Sequence, residues 1–187
     1  MIEKIKETAA FIKERFPIIP ETAIILGTGL GELVNHITDQ KELAYKDIPN
    51  FPISTVEGHS GKLIFGKLGT KDIMAMQGRF HFYEGYDMKQ VTFPVRVMKQ
   101  LGVKTLFVSN AAGGMNPTFK VGDLMVIRDH INLFPEHPLH GKNYNELGPR
   151  FPDMSEAYSK RLIKKAFEIA EKNNIYLQPV SYTHLRA

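Results

Sequence analysis

Arg79, His81 and Tyr83 set a cation, an imidazole and a phenol at alternate positions of the stretch Gly78-Arg79-Phe80-His81-Phe82-Tyr83-Glu84-Gly85-Tyr86. On an extended backbone these three side chains project from one face, while Phe80 and Phe82 project from the other. The aromatic pair can then anchor the segment in a core as the polar face meets a ligand. Arginine offers a planar fork of donors suited to phosphate, and histidine can donate beside it. Tyrosine adds an apolar body with a polar tip, which fits a sugar edge. A plainer alternative, a strand end with an exposed arginine and an aromatic rim, stays open on these residues alone.

Gly27-Thr28-Gly29-Leu30-Gly31 is the second stretch able to do chemistry. It follows the apolar run Thr22 to Leu26, expected to be a strand, and precedes Glu32 to Ile37, expected to be helical. Strand, glycine turn and helix together aim backbone N–H groups at an anion, and the Thr28 hydroxyl can add a donor. The dinucleotide pattern G-x-G-x-x-G fails because Glu32 stands where the third glycine belongs, and no Gly-Lys-Ser/Thr follows to make a Walker A loop. A tight turn without any ligand is the alternative. Ser109-Asn110-Ala111-Ala112-Gly113-Gly114 is a third run whose small residues leave main-chain amides accessible, or else allow close helix–strand packing. His59, between glycines in Glu57-Gly58-His59-Ser60-Gly61, is a weaker candidate. Glu136-His137-Pro138-Leu139-His140 could suggest a metal site, but Pro138 breaks any regular helical face, so none is expected.

The elements that must position these residues follow from periodicity. Ile2, Ile5, Ala9, Ile12 and Phe16 recur at helical spacing, and Pro17 and Pro20 end that helix. Asp47 to Gly61 reads as a loop. Lys62 to Lys67 and Asp72 to Met76 read as a hairpin across Gly69-Thr70-Lys71, so part of the sheet is antiparallel. Val91, Val95, Met98 and Leu101 predict a helix closed by Gly102, with Pro94 either in its first turn or kinking it. Thr105 to Val108 reads as a buried strand, and Gly122 to Arg128 contains another, followed by Asp129 to Asn132. Phe134 to Pro152 is expected to be a long irregular loop of the kind that often carries function. A helix is expected from Ser155 to about Lys172, and a strand begins at Ile175 to Gln178. Ser181 to Ala187 carries no pattern and reads as a foreign tail.

A length of 187 residues, with 43% apolar and 24% charged residues, describes one globular domain with a full core. A net charge of +4, spread along the chain, lacks the basic stripe of a nucleic-acid binder. The absence of cysteine excludes disulfides and thiolate chemistry. Met1 to Phe16 carries charges throughout, so it is not read as a secretory signal, and no run approaches the ~20 apolar residues of a membrane span. A cytoplasmic location is the expectation.

Taken together, these strings are similar to those of the trimeric, low-mass purine nucleoside phosphorylases. They are Leu26 to Gly31, Ile48 to Pro52 with Ser54-Thr55-Val56, Gly58-His59, Gly78 to Tyr86, Thr92 to Val97, Asn110 to Pro117, Asp129 to Leu133 and Arg150 to Ser155. All occur in the family's order between about residue 20 and about residue 178. The resemblance implies a single α/β domain over residues 1–180, with a central mixed β-sheet flanked by helices, in a homotrimer. It implies phosphorolysis of purine (deoxy)ribonucleosides to free base and (deoxy)ribose 1-phosphate in purine salvage, with phosphate as co-substrate and no metal or cofactor. Carried over position by position, it implies that Thr28, His59, Arg79, His81 and the Ala111 main chain bind phosphate. Arg79 and His81 are then the catalytic pair. Tyr83 contacts the ribose, and Phe151 is lent to the sugar site of a neighbouring subunit. In the family the Glu and Asn that grip the purine lie beyond residue 178, as do a second phosphate-binding Ser and a His near the ribose 5′ position. No counterpart occurs here, which leaves the activity of the chain as written open.

Three other readings remain. A nucleoside hydrolase would need clustered aspartates, which the sequence does not have. A dinucleotide-binding oxidoreductase rests on Gly27 to Gly31 alone. A non-catalytic phosphate- or sugar-binding module would bind phosphate without forming product.

Overall fold

A computed structural model describes residues 1–27, 29–53 and 61–184. They fall into two compact units, Met1–Ala111 and Ala112–Ala187.

The first unit is built on a five-stranded mixed sheet. Its strands are β1 (Thr22–Leu26), β2 (Ile37–Ala44), β3 (Lys62–Leu68), β4 (Lys71–Gln77) and β5 (Thr105–Val108), in the spatial order β2-β3-β4-β1-β5. The expected hairpin is β3–β4, antiparallel and turned at Gly69, while β1 lies parallel to both β4 and β5. Residues of β3 and β4 alternate between two cores. Leu63, Phe65, Met74 and Met76 face one, and Ile64, Ile73 and Ala75 face the other. Burial on both faces explains why these strands read as continuous apolar runs. The larger core is closed by α1 (Ile2–Arg15) and α3 (Phe93–Leu101), with Phe16 stacked on Phe65 at 4.0 Å.

Several expectations are corrected here. Residues 31–36 are helical, as a 3-10 helix, but Ile37 already belongs to β2, which apolar patterning did not reveal because it is Ile-Thr-Asp-Gln-Lys-Glu-Leu-Ala. Pro94 sits in the first turn of α3, where its missing N–H costs nothing, and a short α2 (Met88–Val91) capped by Asp87 and Gln90 precedes it. Gly102 closes α3 at φ +103°, as expected. The strand expected to be buried, β5, is half-exposed, with Phe107 and Val108 at 48% and 59%. It lies at the sheet edge, paired only with β1 among the described residues.

The second unit holds β6 (Leu124–Asn132), α4 (Lys160–Lys172) and β7 (Leu177–His184), the two strands pairing in parallel. Asp129 to Asn132 thus belong to the strand, with a register shift around Arg128. α4 starts five residues later than expected. Ser155 is engaged by Asp153, its N–H and Oγ–H each donating to that carboxylate at 2.9 Å, and Ser159 caps the helix instead by accepting from the Leu162 N–H. These bonds hold the Asp153 carboxyl below its ordinary pKa. Leu162, Ile163, Ala166 and Phe167, the apolar residues of this helix at helical spacing, are only half-buried. Ser181 to His184 continue β7 opposite Asp129 to Asn132, where the sequence showed no pattern, since pairing with a neighbour rather than side-chain alternation defines this end.

Candidate active site

β4, β1 and β5 run parallel, so the segments that leave their C-terminal ends emerge along one edge of the sheet. β1 lies between two parallel neighbours, and the space outside the carboxyl ends of such strands is where open α/β sheets place ligands. Those departing segments are Gly78 to Tyr86, Gly27 to Gly31 and Ser109 to Ala111.

Gly78, at φ +87°, turns the chain off β4. Its carbonyl accepts from the Tyr45 hydroxyl at 2.7 Å. Tyr45 is 2% exposed and packs on Phe80 and Phe51; burial pushes its pKa far up, so the phenol stays a neutral donor. Phe80, 4% exposed, anchors the stretch in the core. Arg79 and His81 therefore leave the opposite side, as alternation requires. The extended backbone ends there: Phe82–Glu84 form a 3-10 turn closed by Gly85 at φ +92°. The turn lays Tyr83 over His81, ring centroids 4.8 Å apart and 20° from coplanar. Arg79, His81 and Tyr83 thus gather on one side, by a turn rather than by strand alternation throughout.

Glu84 causes that turn, and the sequence reading passed over it. Its Oε1 accepts from the His81 N–H at 2.9 Å and from His81 Nδ1–H at 2.8 Å, and its side chain is only 2% exposed. Arg79 Nε–H donates to His81 Nε2 at 3.0 Å. The two contacts agree on one tautomer, with the proton on Nδ1. The spacing His81-x-x-Glu84 is that of a capping box and could have been read as one.

Arg79 Nη1–H donates to the Ser109 carbonyl at 3.0 Å, which joins β4's exit to β5's. Ser109 also joins β5 to β1. Its Oγ accepts from the Gly27 N–H at 2.8 Å, and its N–H donates to the Ile25 carbonyl at 3.1 Å. A Cβ on Gly27 would stand 2.2 Å from the Ser109 carbonyl oxygen, so only glycine fits there. The Gly27 amide is therefore engaged, not aimed at a ligand as the glycine turn suggested. Ala111 is exposed just beyond. Thr28 and His59 lie outside the described residues. Phe151 sits on a loop of the second unit, 88% exposed, beside Arg150, whose Nη1 donates to the Leu139 and Gly141 carbonyls.

The second unit carries a polar aromatic cluster that the sequence did not single out. His130 Nδ1 and the Tyr158 hydroxyl are hydrogen-bonded at 3.0 Å, and the rings of Tyr182 and His184 lie 5.4 Å and 5.8 Å away. Burial, and then the neighbouring His184, lower the His130 pKa; burial first, then Asp129 and Tyr182, raise that of Tyr158. Among the described residues no group of three or more His, Cys, Asp or Glu is placed to hold a metal ion.

The family model described as the phosphorylase superfamily matches residues 21–185, across both units. Purine nucleoside phosphorylase 1 of Bacillus subtilis (strain 168) is 55% identical over 183 residues, 98% of this chain and 68% of that protein. The chain belongs to the purine nucleoside phosphorylases. The Geobacillus stearothermophilus purine nucleoside phosphorylase 1 is 57% identical over 89% of this chain, and the mouse purine nucleoside phosphorylase 51% over 88%. The chain spans 61% and 58% of their respective lengths. Among solved structures, a purine nucleoside phosphorylase in complex with ribose 1-phosphate superposes with a TM-score of 0.92 at 46% identity, covering 97% of this chain and 69% of that one. The Schistosoma mansoni purine nucleoside phosphorylase in complex with inosine does so at 0.92 and 44%, covering 97% and 65%. The α/β fold with a central mixed sheet is that of these phosphorylases. The dinucleotide-binding alternative is not favoured, because the glycine turn leads into a short 3-10 helix and a strand rather than a crossover α-helix.

Proposed function

We propose that the C-terminal edge of β4, β1 and β5 holds inorganic phosphate as the nucleophile for phosphorolysis of purine (deoxy)ribonucleosides, giving free base and (deoxy)ribose 1-phosphate. The observation that carries this reading is the convergence of Arg79, His81 and the Ser109 carbonyl within one hydrogen-bonded set beside the Gly27 turn. Cleaving an N-glycosidic bond builds positive charge on the ribose. An anion held beneath the anomeric carbon both attacks and stabilises that charge. The protein's task is to hold the anion in line. Glu84 fixes the His81 ring and the Ser109 carbonyl fixes the Arg79 guanidinium. Phosphate replaces the Arg79 Nε–His81 Nε2 contact, with Nε2 taking up a proton so that it can donate. This chemistry calls for no metal and no organic cofactor.

In this reading Arg79 and His81 grip phosphate, joined by Thr28, His59 and the Ala111 amide. Tyr83, stacked on His81 and 67% exposed, meets the ribose. Phe151 is offered to the sugar site of a neighbouring subunit in a homotrimer. A cytoplasmic place in purine salvage belongs to the same proposal; among the described residues no helix is long and apolar enough to cross a membrane. Crystals grown with phosphate test the site: density enclosed by Arg79, His81 and the Ala111 amide is expected, and an anion elsewhere, or none, overturns it. Turnover of inosine must require phosphate and yield ribose 1-phosphate. Free ribose formed without phosphate would rule out phosphorolysis.

A further inference from the structure

We propose that Ser109 is a positioning residue for the phosphate cradle, one that sets both the Gly27 turn and the Arg79 guanidinium; the inference rests on the phosphate reading of the site above. Ser109 contacts the exits of all three parallel strands through different atoms. Its Oγ accepts the Gly27 N–H at 2.8 Å and donates to the Ile25 carbonyl at 3.2 Å. Its own N–H reaches the same Ile25 carbonyl at 3.1 Å, and its carbonyl receives Arg79 Nη1–H at 3.0 Å. A hydroxyl is required for the first pair, since the side chain must accept from an amide and donate to a carbonyl at once. Alanine could do neither, and the Gly27 amide would lose its acceptor.

Coupling to the anion follows from how tightly the two strand ends are pressed together. Gly27 and the Ser109 carbonyl approach so closely that a Cβ has no room between them. If the hydroxyl is removed, the β1 and β5 ends can slide apart. The carbonyl that aims Arg79 then moves with them. A guanidinium fork loses its match to phosphate with small rotations, so the effect should reach ligand affinity although Ser109 need not touch the ligand.

The test is calorimetric titration of inorganic phosphate into the parent chain and its Ser109→Ala, Ser109→Thr and Arg79→Ala variants. Ser109→Ala is expected to bind about 5- to 10-fold more weakly, and Ser109→Thr, which keeps the hydroxyl, to stay within about 2-fold of the parent. Rescue by threonine separates positioning by the hydroxyl from a general packing defect. Equal affinity for Ser109→Ala and parent would overturn the proposal, as would a threonine variant as weak as the alanine one. If the parent does not bind phosphate, or Arg79→Ala binds it unchanged, the cradle reading itself fails and this inference falls with it. Should Ser109→Ala not fold, amide exchange in the parent decides. Slow exchange at Gly27 with and without phosphate is expected, and exchange as fast as an open amide overturns the proposal.

Discussion

His81 and His130 are each held at Nδ1 and flanked by aromatic rings, yet the two clusters are chemically opposed. At His81 the partner is the Glu84 carboxylate, which can only accept, so Nδ1 donates; at His130 it is the Tyr158 hydroxyl, which can donate or accept. His81 has a guanidinium on its other nitrogen, whereas His130 has the rings of Tyr182 and His184 around it. The first set combines a fixed cation with backbone turns at the ends of parallel strands, which is what an anion needs. The second sets a half-buried imidazole, its pKa lowered by burial, among the rings beside a two-stranded parallel pair. A histidine's neighbours, not its exposure, distinguish the two.

The largest expected effect lies at Arg79. Replacing it with alanine should weaken phosphate binding about 100-fold or more, since a charge-assisted fork is lost. The counterpart His130→Ala should leave that affinity unchanged, and calorimetric titration of both variants breaks the comparison if they behave alike. Next comes Gly27→Ala, whose new methyl would stand 2.2 Å from the Ser109 carbonyl oxygen. Chemical denaturation should show a loss of about 1–3 kcal/mol. Glu84→Ala removes the acceptor from two His81 donors and should weaken phosphate binding about tenfold, with Glu84→Gln recovering most of it. Nitrogen NMR of the parent should report the proton of His81 on Nδ1, where Glu84 accepts it; a proton on Nε2 instead would erase the distinction.

The smallest effect is pH dependence in the second unit. The His130 pKa is lowered from 6.5 by burial, so the folded state binds fewer protons there than the unfolded chain. Its contribution to stability is therefore intact above pH 6.5 and is lost as pH falls from there through the lowered folded value. His130→Gln should flatten the dependence of the unfolding midpoint between about pH 7.5 and about pH 5.

Much of the site was legible because local rules carry it. Arg79 and Phe80 face opposite ways, as alternation demands, and the β3–β4 hairpin and the Gly102 cap follow from turn chemistry. Elsewhere distant partners overrode local pattern. Ser155 looked like a helix start but Asp153 took its N–H and hydroxyl. β2 is polar because only Ile37 of its eight residues is buried, so no alternation advertised it. Tyr45 gave no signal at all; one aromatic residue in a charged segment becomes important only because Gly78 arrives above it.

By itself the sequence determined the chemistry available: a guanidinium, an imidazole and a phenol in one short stretch, two small-residue turns after apolar strands, and strings in the order of one enzyme family. Only the tertiary structure decided which groups meet, because parallel pairing of β1 with β4 and β5 brings residues 25, 27, 79 and 109 within hydrogen-bond reach. It also decided that the Gly27 amide is occupied and that Glu84 sets the His81 tautomer. Donors and acceptors are written in residue types, but their pairing is a property of strand register, which long-range contacts fix.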